Sequence, residues 1–120
     1  MEASIRLSPH PTSARAAREF VARTLLEWGR QDQTEAAVLL TSELVTNAII
    51  HARTEVAVTM RAAGDGLRVV VLDESDEQPS PRSEADELGG GRGLKLVDAV
   101  AASWGVAPQG RGKAVWFELG

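Results

Sequence analysis

The first apolar positions of the chain alternate: Ile5 and Leu7 stand on either side of Arg6, the period of a short strand, which Pro9 and Pro11 bring to an end. The period then lengthens. Ala17, Phe20, Val21, Leu25 and Trp28 recur at helical spacing, with Thr12 or Ser13 placed to cap the start and Gly29 placed to stop the end. Asp32 followed by Glu35 marks a second helix start, with Asp32 in the capping position, and this helix is expected to run to Ala52 or Arg53. Val56, Val58 and Met60 alternate again, Ala63-Gly64-Asp65-Gly66 makes a turn, and Leu67 to Asp73 completes a hairpin.

The pattern lapses from Glu74 to Gly91, an acidic, proline-bearing stretch in which Leu88 is the one large apolar side chain. It reads as a long loop, and a loop of that length in a small domain is usually a lid or a disordered segment. Gly89-Gly90-Gly91-Arg92-Gly93 then opens a short helix carrying Leu94, Val97 and Val100. Ser103 to Ala107 and Lys113 to Leu119 form a last hairpin around Gly110 and Gly112, with Val115, Phe117 and Leu119 on one face. Strand, two helices, hairpin, lid, helix, hairpin: this order predicts a two-layer α+β sandwich, a mostly antiparallel sheet of about five strands with three helices on one face.

At 120 residues the chain fits one domain, 1–120, with a lid at about 74–91. A net charge of −4 argues against nonspecific nucleic-acid or anionic-membrane binding as the main role. The absence of cysteine excludes disulfides, thiolate metal sites and cysteine nucleophiles. No apolar run is long enough to span a bilayer and no signal-peptide segment is visible, so a cytoplasmic location is the default expectation.

Three features carry candidate chemistry. The first is the second helix, apolar almost all round from Val38 to Ala52 except for Glu43, Asn47 and His51 at intervals of four, which form one line along one face. Either the three satisfy one another or cap loop backbone, or Asn47 gives an oxygen to a hard cation such as magnesium beside the Glu43 carboxylate. The second is Asp73. Period two places Leu67, Val69, Val71 and Asp73 on one side of their strand. Asp73 then either caps the following turn or, over the core layer, accepts a hydrogen bond from an exocyclic amine such as that of adenine. The acidic cluster Asp73, Glu74, Asp76 and Glu77 lacks EF-hand spacing. The third is the glycine run at 89–93, either a flexible linker or a phosphate cradle at a helix start with Arg92 adding charge. It is neither a P-loop nor a Rossmann fingerprint. Gly110-Arg111-Gly112-Lys113 reads as a hairpin turn.

The order of these features resembles that of the GHKL, or histidine-kinase-like, ATPases. Glu43-Leu44-Val45-Thr46-Asn47-Ala48-Ile49-Ile50-His51-Ala52 resembles their N-box, Asp73 their adenine-contacting aspartate, and Gly91-Arg92-Gly93-Leu94 their second glycine box. Gly112-Lys113-Ala114-Val115-Trp116-Phe117 resembles the closing segment of the domain. Within the family the chain is most similar to the anti-sigma-factor serine/threonine kinases and the single-domain ATP-binding regulators of actinobacteria. The resemblance implies a Bergerat-type fold binding ATP and magnesium. Asn47 would ligate the metal, and Glu43 would orient or deprotonate the attacking group. Asp73 would read adenine, and Gly91, Arg92, Gly93 and Leu94 would hold phosphate. His51 and Lys113 are secondary candidates. It also implies a sigma factor or an anti-anti-sigma antagonist as partner, and a homodimer that exposed residues of the first helix or Trp104 could build. The chain departs from the broader family in one place: Ser75 and Glu77 stand where glycines follow the aspartate, with Pro79 and Pro81 beyond, as in the actinobacterial group. Three functions stay open: a protein kinase, a nucleotide-gated binding module without catalysis, and a detached histidine-kinase catalytic domain. The third ranks last, since nothing resembles a phosphoacceptor helix.

Overall fold

The computed structural model describes residues 1–74 and 89–120, with side chains in the second stretch from Lys95 onward. The chain runs β1 (Glu2–Leu7), α1 (Ser13–Glu27), a 3₁₀ turn (Gln31–Gln33), α2 (Thr34–His51), β2 (Val56–Ala63), β3 (Gly66–Asp73), α3 (Gly89–Val100), β4 (Ser103–Gln109) and β5 (Gly112–Leu119). The strands lie side by side in the order β1-β2-β3-β5-β4, and every neighbouring pair is antiparallel. This is the α+β sandwich expected from the order of periods. β3 and β4 run parallel with β5 between them, so α3 is the crossover that carries the chain back along the sheet.

Alternation decides which side of the sheet the helices cover. Val56, Val58, Met60 and Ala62 of β2, Leu67, Val69 and Val71 of β3, and Phe117 and Leu119 of β5 are all buried against the helices. They meet Ala17, Val21 and Leu25 of α1, Ala37, Leu40, Leu44, Val45 and Ala48 of α2, and Val97 of α3. The opposite face carries charge. There the Arg68 guanidinium lies 4.2 Å from the Trp116 ring centroid and donates to Glu118 at 2.8 Å, while Ser103 donates to the other Glu118 oxygen at 2.7 Å. Gly105 makes room for the Trp116 indole, since a Cβ there would sit 2.8 Å from the ring.

Helix ends follow the sequence only in part. Gly29 stops α1 as expected: it takes φ +70°, its N–H reaches Leu26 O, and Arg30 N–H reaches Leu25 O at 2.8 Å. Thr12 occupies the flanking position before α1 but does not cap it, because its hydroxyl pairs with His10 Nδ1 at 2.9 Å. Asp32 is not the cap of α2: it is wound into the 3₁₀ turn, α2 starts at Thr34, and no side chain caps either element. The connection is held instead by Arg30 and Gln33. Their side chains donate to backbone carbonyls of Gly64, Asp65 and Gly66, which ties the start of α2 to the β2–β3 turn. α2 ends at His51, and Arg53 leaves it with φ +57°. The C-terminal part of the expected 74–91 loop is helical instead, because α3 already begins at Gly89 and takes in the glycine run. Ser75, Glu77, Pro79 and Pro81 lie outside the described residues.

Candidate functional site

Asp73 ends β3 on the helix-facing side, as the alternation from Leu67 predicts, and its side chain is only 3% exposed. Val56 of β2 pairs with it on one side and Lys113 of β5 on the other. A buried carboxylate needs a partner. Lys113 supplies one, with Nζ 2.9 Å from Oδ2. Thr54 finishes the strand by accepting the Glu74 N–H at 2.9 Å. Gly112 permits the close approach of β5. A Cβ at that position would overlap the Asp73 carbonyl oxygen and sit 2.7 Å from its carbon. By sequence alone, Gly112 belongs to the hairpin turn Gly110-Arg111-Gly112-Lys113. The turn glycine is Gly110, with φ +58°, and Gly112 is needed for its lack of bulk.

α2 delivers the polar line to the same end of the sheet, since it finishes at His51 and the chain then enters β2 at Val56, opposite Asp73. Around α2, Thr41, Leu44, Val45 and Ala48 point into the core, and Ser42 faces α1, where it accepts from Arg18 at 3.1 Å. Asn47 stands five residues after Ser42, about 140° around the helix, so it lies on the flank away from α1. Glu43 and Asn47 are half-buried and His51 is exposed. The three do not satisfy one another. Among the described residues no hydrogen bond or ion pair engages Glu43 or Asn47, so the amide oxygen of Asn47 is available to a ligand. No group of three acidic or histidine side chains converges among the described residues. A magnesium ion held here would therefore draw most of its ligands from phosphate and water, as that ion prefers.

α3 brings the third element. Its C-terminal end leads into Ser103, which pairs with Glu118 near the end of the sheet opposite Asp73. In a helix beginning at Gly89, the N–H groups of the first four residues lack an intrahelical acceptor. Gly91 and Arg92 fall in that set. Gly93 and Leu94 fall where the helical ladder begins, which reduces their value as phosphate donors while the turn is wound. The side chains of Arg92 and Leu94 lie outside the described residues.

A depression of ≈ 380 Å³ opens at the same sheet end, lined by Arg6, Leu72, Asp73, Gln109, Arg111 and Gly112 among others. Its charges compensate one another. Arg6 contacts Glu55 at 2.5 Å and Glu74 at 3.3 Å, and the Glu55 hydrogen bond raises its already high pKa.

A family model for the histidine kinase-like ATPase domain matches residues 7–119. The chain belongs to that family. Among solved structures, one containing the RsbU and RsbW domains of Rv1364c from Mycobacterium tuberculosis superposes with a TM-score of 0.76 at 21% identity. The match covers 99% of this chain and 32% of the other, so the chain spans about a third of that protein. The likeness is one of fold. A search of curated proteins gave no match. Among the described residues no helix of this histidine kinase-like domain is long and apolar enough to cross a membrane.

Proposed function

We propose that this histidine kinase-like ATPase domain is an ATP-binding regulatory protein of the anti-sigma-factor kinase type, which transfers phosphate to a serine or threonine of an antagonist protein and so switches partners. The observation that carries the reading is the buried Asp73 at the strand end, at the same sheet end as the unengaged Asn47 amide, in a chain of this family.

The division of labour follows from position. Asp73 accepts a hydrogen bond from the adenine amino group. Asn47 offers its amide oxygen to magnesium, and the N–H groups at the start of α3, Gly91 and Arg92 among them, face the phosphates. Magnesium, when bound, offsets the charge of the transferring phosphoryl group. Glu43, one turn before Asn47, orients the attacking hydroxyl and takes its proton. Most of the rate enhancement would come from positioning and charge compensation. The partner would be a sigma factor or its antagonist.

A second reading, a nucleotide-gated binding module without transfer, is favoured by Ser75 and Glu77 in place of glycines after Asp73. Two measurements separate these. A ligand at a hundredfold over its dissociation constant stabilises the fold by about 2.7 kcal/mol, which for a domain of this length is roughly 10 °C in Tm. No shift with millimolar Mg-ATP sinks both readings. Labelled phosphate that reaches a candidate antagonist with wild type but not with Glu43→Ala, while Glu43→Ala still binds ATP, identifies the kinase. Binding without transfer to any candidate leaves the gated module.

A further inference from the structure

The two edges of the sheet differ in charge. β1 is charged: Glu2 pairs with Arg61 at 3.1 Å, and Arg6 pairs with Glu55 and Glu74. Charged side chains along an edge deter a further strand from adding to it. β4, Ser103-Trp104-Gly105-Val106-Ala107-Pro108-Gln109, has no charged residue, and its Val106 is 41% exposed. We propose that β4 is the edge at which two copies of this chain pair, antiparallel about a two-fold axis, so that their sheets become one. The pairing does not depend on what the nucleotide site binds.

The register follows from the backbone. Gly110 and Arg111 form a two-residue turn, so Gln109 and Gly112 close the β4–β5 ladder as a hydrogen-bonded pair. Alternation then turns the backbone groups of Gln109, Ala107, Gly105 and Ser103 toward β5 and those of Pro108, Val106 and Trp104 outward. Pro108 has no N–H to donate and fits an outward position. The open edge thus offers the N–H groups of Trp104 and Val106. Among the described residues no backbone hydrogen bond reaches either of them from outside the sheet.

A second β4 satisfies this edge. In the register that sets Gly105 against Gly105 across the axis, Trp104 lies opposite Val106 of the second copy, and Val106 opposite Trp104 of the second copy. Each of the outward N–H groups then meets a carbonyl, and Pro108 lies beyond the paired positions. Trp104 and Val106 both stand on the helix side of the sheet, since they pair with Phe117 and Val115. The exposed Val106 is therefore covered by an indole, a favourable aromatic–β-branched pair. On the outer face Ser103 meets Ala107 and glycine meets glycine, so no like charges oppose each other.

The test is sedimentation equilibrium of the whole chain across a concentration series. The expected result is a reversible rise from the monomer mass to twice that mass. Val106→Lys should weaken this association at least tenfold, whereas Ser4→Lys on the β1 edge should leave it within twofold. A chain that stays monomeric up to millimolar concentration overturns the proposal, as does a dimer that Val106→Lys leaves unchanged. Loss of the dimer in Leu26→Lys, on the exposed side of α1, with Val106→Lys still dimeric would place the contact on the helix layer and overturns it as well. Because the chain has no cysteine, a short bismaleimide gives a second readout. It should join Val106→Cys into covalent dimers and leave Ser4→Cys monomeric. Cross-linking at position 4, or none at position 106, overturns the proposal even if the lysine variants fail to fold.

Discussion

Replacing Gly112 by alanine adds one methyl group at the tightest strand contact of the site. The new Cβ would lie 2.7 Å from the carbonyl carbon of Asp73 and 2.8 Å from Glu74 Cα, with the Asp73 carbonyl oxygen closer still. Carbon atoms in contact sit roughly 3.5–4.0 Å apart, so β5 must back away from β3 by about 1 Å. Neither partner is the far end of a flexible side chain, and the strain cannot be relieved by a rotamer change. Overpacking of this kind costs about 1–3 kcal/mol, and the loosened ladder forfeits about one further hydrogen bond at roughly 1 kcal/mol. The sum, about 2–4 kcal/mol, corresponds to roughly 8–16 °C in Tm at about 4 °C per kcal/mol for a domain of this length. Gly110→Ala is the control. It lies two residues away with nothing within 4 Å of its Cβ, so only its φ of +58° is penalised, by about 1–2 kcal/mol. Thermal unfolding followed by circular dichroism compares the two. A Gly112→Ala protein that melts within 3 °C of wild type, or above Gly110→Ala, refutes the close-approach argument.

Two further outcomes follow from single groups. Thr41 Oγ1 is fully buried without a hydrogen-bond partner among the described residues, so Thr41→Val should raise Tm by about 4 °C, the return of about 1 kcal/mol of desolvation. A drop in Tm would mean the hydroxyl has a partner. The Ser103 hydrogen bond, then that of Arg68, holds the Glu118 carboxyl below its ordinary value. Its native state thus binds the proton less readily than the unfolded chain. The stability it contributes is present above about pH 4.5 and lost as pH falls through the lowered value. Glu118→Gln should flatten stability against pH below about 4.5, and an unchanged acid slope argues against the contact.

Much of the architecture was legible because period alone separates strand from helix here. Leu67, Val69 and Val71 place Asp73 on the helix side without any tertiary information, and the four-residue spacing of Glu43 and Asn47 puts them on one flank. What escaped depends on contacts between distant segments. Nothing local says that Arg30 and Gln33 anchor the β2–β3 turn, which is why Asp32 looks like a cap. Nothing local says that Gly112 abuts Asp73, since a glycine beside a turn glycine reads as more turn. Lys113 was visible as a candidate, but its partner depends on strand register, and register across a crossover is not written in either strand.

The insertion of β5 between β3 and β4 gives the two ends of the site different mechanical character. Asp73 sits at the end of an interior strand, laddered on both sides, and opening it requires parting β3 from both β2 and β5. Its ladder partners should exchange with solvent more slowly than the amides at the start of α3. Under the proposed reading, the phosphate end would be built from helix termini, where backbone groups are unpaired by construction. A nucleotide would therefore meet a rigid shelf at its base and an adjustable clasp at its phosphates, with the ordering cost of binding concentrated at the second.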